Sequence, residues 1–193
     1  MQTEKELLIG KVAVKATMLQ AHLNWAKTRL ANDLTKLMAN LDEQTAAIIN
    51  RSILATDWIP LRSVIQIDRA IAQTVGEELI QVSRELGRHS ARLNLGGIYK
   101  RFIAGEPHRF FERMAILHEQ FQNFGSCDYE KVKDCAGKVK LQDYTEYSPV
   151  YCAGSFGYLE EALRLMKAPG PIIVVETMCQ CRGHQMCLYE MTW

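Results

Sequence analysis

The stretch from Cys152 to Trp193 constrains this chain most, because it holds four of the six cysteines and ends on a two-stranded pattern. Three of those cysteines, Cys152, Cys179 and Cys187, together with Glu176 have the chemistry of a metal site. Zinc takes four donors in a tetrahedron, drawn from thiolates, imidazoles and carboxylates. Pro171 to Val175 reads as a strand, Cys181 to His184 as a turn, and Met186 to Trp193 as a returning strand with Cys187, Tyr189, Met191 and Trp193 on one face. Glu176 and Cys179 stand three residues apart, so a regular strand would send them to opposite faces. Joint binding of one ion therefore requires a bend after Thr177. Cys152 follows Ser148-Pro149 at the start of a helix, where the dipole favours a thiolate. Cys181 is the substitute for Glu176 as fourth ligand. Only one residue separates it from Cys179, a tighter chelate than structural sites favour, so spacing prefers Glu176. His184 reads as a polar turn residue. The plainer alternative is that cysteines are small core side chains, and Cys127 and Cys135 are read that way.

The 193 residues predict a single domain, 1–193, with a helical part over about 1–125 and a hairpin, a helix and a zinc-bound hairpin over about 126–193. The net charge is +1 with acids and bases interspersed, which argues against nucleic acid as a partner and against a polybasic membrane patch. No apolar run reaches the roughly 18 residues of a membrane span, and the acidic start carries no signal-type core, so a cytoplasmic protein is expected. Cysteines clustered late in such a chain point to reduced thiols or metal rather than disulfides.

Residues 7–18 alternate and are expected to form a strand. From Leu19 the spacing turns helical in two short pieces, through Leu30 and through Leu41, and Asp42 with Thr45 marks another helix start. Pro60 stands where a helix begins, and Leu61, Val64, Ile65, Asp68, Ile71 and Val75 hold its stripe up to Gly76. A second stripe runs from Leu79 to Leu93. It is thinned by Gly87, Ser90 and Ala91, small residues that let a neighbour approach closely, and His89 beside it is read as solvated or hydrogen-bonded. Residues 98–103 continue as a short helical turn. Glu106-Pro107 opens a helix with Phe110, Met114, Leu117, Phe121 and Phe124 on one face, closed by Gly125. Most of these are core, but Phe110, Met114, His118 and Phe121 are also candidates for the wall of an apolar ligand pocket. A hairpin is expected over 127–141, turning at Cys135-Ala136-Gly137, and a helix follows from Pro149 with Phe156, Leu159, Leu163 and Met166 buried. The fold class is α+β, helices packed on a small antiparallel sheet.

A cysteine before a helix, then Glu176-x-x-Cys179 and a final Cys187 ahead of a strand, resembles the 4-vinyl reductase domain superfamily. It is similar in particular to the zinc-containing aromatic-effector sensor domains of phenol-responsive activators. Asp57-Trp58-Ile59-Pro60 and Glu85-Leu86-Gly87-Arg88-His89-Ser90-Ala91 resemble an uncharacterised bacterial family of about this length, with a more distant fold likeness to TRAPP small subunits. The resemblance implies a structural Zn²⁺ on Cys152, Glu176, Cys179 and Cys187, with Cys181 outside the set. It also implies a homodimer.

No phosphate loop, dinucleotide fingerprint, His-Glu-x-x-His or nucleophile elbow is present. With four protein ligands the zinc has no open position, so the expected role is sensory. An apolar pocket with the metal hairpin as one wall would take a small apolar or aromatic ligand and signal through a partner protein. A TRAPP-like scaffold or acyl-chain carrier, and a reductase-related enzyme lacking a visible cofactor motif, are the rival readings.

Overall fold

A computed structural model of the chain describes residues 12–97, 99–103 and 106–193. Its N-terminal part is built around a helical hairpin that the stripes foretell. Helix α1 (Ala16–Arg29) buries Leu19, Leu23 and Ala26, and the short α2 (Thr35–Met38) and α3 (Glu43–Asn50) follow, α3 capped by Asp42 accepting from the Thr45 amide. Helix α4 (Leu61–Val75) buries Leu61, Val64, Ile67, Asp68 and Ile71. Gly76, at φ 72°, ends it in the left-handed conformation that glycine adopts without penalty. Helix α5 (Leu79–Gly96) then starts on Glu78, whose carboxylate accepts from the Gln81 amide.

The alternation over 7–18 yields only a short strand. Strand β1 (Ala13–Lys15) pairs antiparallel with β2 (Trp58–Pro60), Ala16 already belongs to α1, and residues 7–11 lie outside the described residues. Three residues are too few to show a period, so β2 is invisible as a pattern. Pro60 closes that strand and leads directly into α4.

The helix expected from Pro107 to Gly125 is interrupted. Helix α6 (Pro107–Ile116) stops at Leu117, the single turn α7 (His118–Phe121) follows, and Gln122 bridges to Val14. The competitor is β1: the Ala13 amide donates to the Asn123 side chain at 2.7 Å and the Asn123 amide to the Ala13 carbonyl at 3.1 Å. Those bonds draw residues 122–124 out of the helical path.

Strands β3 (Ser126–Lys133), β4 (Ala136–Gln142), β5 (Ile173–Met178) and β6 (Cys187–Thr192) form an antiparallel sheet in the order β3-β4-β6-β5. Cys187, Tyr189, Met191 and Trp193 are all buried, the face that the alternation predicts. The bend after Thr177 is present as a register shift between Glu176 and Met178. Helix α8 (Pro149–Leu165), capped by the Ser148 hydroxyl, lies between this hairpin and α5. Among the described residues no helix is long and apolar enough to cross a membrane.

Helices α5 and α8 touch backbone to backbone. A Cβ at Gly87 would stand 1.9 Å from the Gly154 carbonyl oxygen, and one at Gly157 would stand 2.1 Å from the Arg84 carbonyl oxygen. At its polar edge Arg88 binds Glu160 through Nε at 2.9 Å and Nη2 at 2.6 Å, a two-pronged pair. Gly87→Ala is therefore expected to cost more than about 3 kcal/mol, because backbone cannot step aside as a rotamer can. Gly96→Ala, with open space around its Cβ, should stay within about 1 kcal/mol of the parent on the stabilising side. Urea unfolding of both variants measures the contrast.

Candidate functional site

Two places concentrate chemistry, one on each side of α8. On the hairpin side, α8 presents Cys152 while β5 and the turn after it present Glu176 and Cys179, and β6 presents Cys187. One ligand atom from each of these four residues lies within 4.8 Å of the others. The three sulfurs are 3.7 Å (Cys179 to Cys152), 3.9 Å (Cys152 to Cys187) and 3.9 Å (Cys187 to Cys179) apart. A tetrahedron with metal–sulfur bonds of about 2.3 Å has edges of about 3.8 Å, so the thiols already hold the spacing of a coordination shell.

Glu176 completes the group because the bulge at Thr177 turns its carboxylate to the side of Cys179. Its Oε2 lies 3.6 Å from the Arg182 guanidinium, while Oε1 is buried with no partner. The hydrogen bond from Cys152 holds the Cys187 thiol down to about 6, helped by the Gln180 amide at 3.3 Å. Giving that hydrogen bond pushes Cys152 far up, with burial adding to it, and burial pushes Cys179 up to about 12. The three sulfurs thus hydrogen-bond to one another, and a cation bound among them would displace the protons they carry. Cys181 stays half-buried at the rim, 3.9 Å from Cys152, and His184 turns its Nδ1 to the backbone of Cys179.

On the other side of α8 lies a cavity of about 200 Å³. Phe110, Met114, His118 and Phe121 all line it, with Val150, Tyr151 and Leu159 from α8 and Val139 and Leu141 from β4. His118 is not poised to act on a ligand. A carbonyl can only accept, so Nε2 donates to Phe124 at 3.1 Å, and Nδ1 accepts from Gln122 at 2.6 Å. Burial also lowers its pKa. Gln122 in turn donates to Tyr144 and accepts from the Tyr151 hydroxyl, so this end of the cavity is satisfied within the protein.

The opposite end holds residues that pattern reading passes over. His22 Nδ1 lies 2.6 Å from Asp68 Oδ1, both buried in the cavity wall. Ser90 lines the same wall. A signal exists in the acid at position 68 inside an otherwise apolar stripe, but its histidine partner sits 46 residues away on another helix.

The fold matches solved H-NOX domains. An oxygen-binding H-NOX domain related to soluble guanylate cyclases, solved as its oxygen complex, is 17% identical, with 92% of this chain and 94% of that chain covered at a TM-score of 0.69. An H-NOX protein from S. oneidensis in the Fe(II)NO ligation state is 10% identical, covering 92% and 97% at 0.69. A structure solved to probe heme distortion in the H-NOX family is 16% identical, covering 93% and 94% at 0.70. At these identities the match establishes a shared fold. No protein-family model and no curated protein sequence matches the chain.

The matches correct two expectations. The resemblance to the 4-vinyl reductase superfamily gives way to the H-NOX fold, because the matched structures are H-NOX domains. The cofactor their descriptions name is heme, so zinc as the cofactor, inferred from the ligand set and that resemblance, does not stand. The short motif around Cys179 is specific in spacing but covers too little of the chain to identify its fold.

The remaining cysteines differ sharply. Cys127 is buried, its thiol pushed up to about 12 by burial, whereas Cys135 is exposed. A neutral thiol reagent should modify Cys135 in the native state within minutes and leave Cys127 intact until denaturant is added, with the sites read by peptide mass mapping. Equal rates for the two would contradict this packing.

Proposed function

We propose that the chain is a sensory module that binds a small apolar molecule in the cavity between the helices and the sheet, and signals through a partner protein. The cavity carries this reading. The surface it exposes is mostly apolar although polar side chains stand among the lining residues, and a concave apolar surface with convergent polar groups is what small-molecule binding requires. Its α8 wall gives a route outward, since Tyr151 faces the cavity and the next residue, Cys152, faces the thiol cluster. A ligand that shifts α8 therefore alters the hairpin.

Heme, named for the H-NOX neighbours, does not fit these residues. It brings a wide macrocycle, two carboxylates and an iron that seeks an imidazole nitrogen. Neither nitrogen of His118 is free, and His22, the other histidine in the wall, sits beside the Asp68 carboxylate. Lys15 is the only lysine or arginine among the described lining residues, and its ammonium is held by the Thr56 carbonyl at 3.0 Å over the Trp58 ring. The volume of about 200 Å³ also falls below the roughly 300 Å³ at which pockets for drug-sized ligands begin.

Cys152, Glu176, Cys179 and Cys187 are proposed to hold one thiophilic metal ion, with Cys181 outside the set. The sulfur spacing and the partnerless Glu176 Oε1 support this. With all four positions filled by protein, the ion would fasten α8 to the hairpin rather than bind substrate.

Benzene titration followed by NMR should shift resonances of the cavity wall, and Leu159→Phe, which fills the space, should abolish the shifts. Absence of binding in the parent would reject the sensory reading, and a Soret shift showing axial ligation on hemin addition would reject the exclusion of heme. Cobalt(II) should bind at one equivalent with thiolate charge-transfer absorption that is lost in Cys187→Ser and kept in Cys181→Ser. The reverse pattern would move the fourth ligand to Cys181.

A further inference from the structure

The polar groups around the cavity are unequal in a way that selects a ligand. At the His118 end every acceptor and donor is engaged by Gln122, Tyr144, Tyr151 or a carbonyl. At the other end the buried residues Ser90 and His22 each keep one unmet atom. Ser90 Oγ is buried and has no partner, and among the described residues no partner meets His22 Nε2. Serines and threonines inside helices commonly donate to the carbonyl four residues back, as Thr74 does to Ala70 and Ser83 to Leu79. Ser90 makes no such bond, although it stands mid-helix in α5.

His22 is oriented by its other nitrogen. The Asp68 carboxylate can only accept, so Nδ1 carries the proton of that 2.6 Å bond, and the tautomer this bond selects has its lone pair at Nε2. The cavity therefore presents an acceptor at His22 and a donor at Ser90 on packed helices α1 and α5. His89, the residue before Ser90, turns its Nε2 instead to the Asn24 side chain at 2.9 Å and does not compete.

We infer that His22 and Ser90 are the specificity-determining pair of the cavity, and that its ligand is an apolar molecule carrying a single uncharged hydroxyl, which donates to His22 Nε2 and accepts from Ser90 Oγ. This rests on the reading of the cavity as a ligand site. A carboxylate head is disfavoured by the buried Asp68 beside it and by the commitment of Lys15 elsewhere. An ammonium head would exchange its hydration for only the neutral His22 and Ser90 acceptors, and burying a charge costs far more than burying a hydroxyl. A hydrocarbon leaves both groups unpaired, which a site built to bond a hydroxyl penalises strongly.

The test is isothermal titration with four probes of one body: 1-hexanol, hexane, hexanoate and hexylammonium. The alcohol should bind at least about tenfold more tightly than each of the others. Ser90→Ala should weaken 1-hexanol several-fold, leave hexane unchanged and leave the melting temperature equal or higher, since it deletes an orphan hydroxyl. His22→Leu with Asp68→Leu, which replaces the buried pair by hydrocarbon, should erase the preference for the alcohol while hexane still binds. Equal binding of all four probes, or an alcohol preference that survives both variants, overturns the inference while leaving the cavity a ligand site. Failure of every probe, hexane included, overturns the sensory reading and this inference with it.

Discussion

The backbone contact between α5 and α8 is the constraint from which the other arrangements follow. Gly87 against the Gly154 carbonyl, and Gly157 against Arg84, let two helices lie closer than any side chain would permit. That closeness fixes the rotation of α8 as well as its distance, because only the glycine stripe can face α5. Cys152 is then directed to the hairpin, and Val150, Tyr151 and Leu159 to the cavity. The Arg88–Glu160 pair at the edge adds registry, and its worth is modest where solvent reaches it.

One helix thus separates the two chemical centres and joins them mechanically. Tyr151 of the cavity wall and Cys152 of the thiol cluster are adjacent residues of α8's first turn. Coupling between sites requires an element whose position both ligands bias. Here that element is a 17-residue helix packed backbone to backbone against α5 on one side, so the proposed transmission would be a rigid-body shift rather than local melting.

Sequence patterns report what repeats and what is local. The stripes of α1, α4 and α5, the Asp42 cap, the inward face of β6 and the bend at Thr177 rest on periodicity or neighbouring residues, and the structure shows each of them except that Leu93, at the end of the α5 stripe, is exposed. The convergence of Cys152 with Glu176, Cys179 and Cys187 is legible because three members lie within one hairpin. Strand β2 is not, being three residues long, and neither is the break at Leu117, which depends on β1 capturing Asn123 from over a hundred residues away. The resemblance drawn from the C-terminal motif misleads about the fold for a related reason. A ligand spacing confined to the C-terminal hairpin outweighs, in a pattern, a fold that is defined by how the N-terminal helices, α8 and the sheet assemble.

Buried polar atoms without partners are rare in folded proteins, and each calls for a cause. Three side-chain atoms of this kind occur among the described residues: Ser90 Oγ, Glu176 Oε1 and Gln180 Oε1. Ser90 lines the cavity, Glu176 belongs to the thiol cluster, and Gln180 sits between Cys179 and Cys181 with its amide nitrogen 3.5 Å from the Tyr144 carbonyl. Random packing defects would scatter through the core, which is otherwise satisfied at such demanding places as His108, engaged by both ring nitrogens with Tyr129 and Asp134. Their confinement to these two places accords with the proposed binding at each, where a ligand would supply the missing bonds. Independently of any fold likeness, the same unmet bonds rank the cavity's His22–Ser90 end above the satisfied His118 end for the proposed recognition.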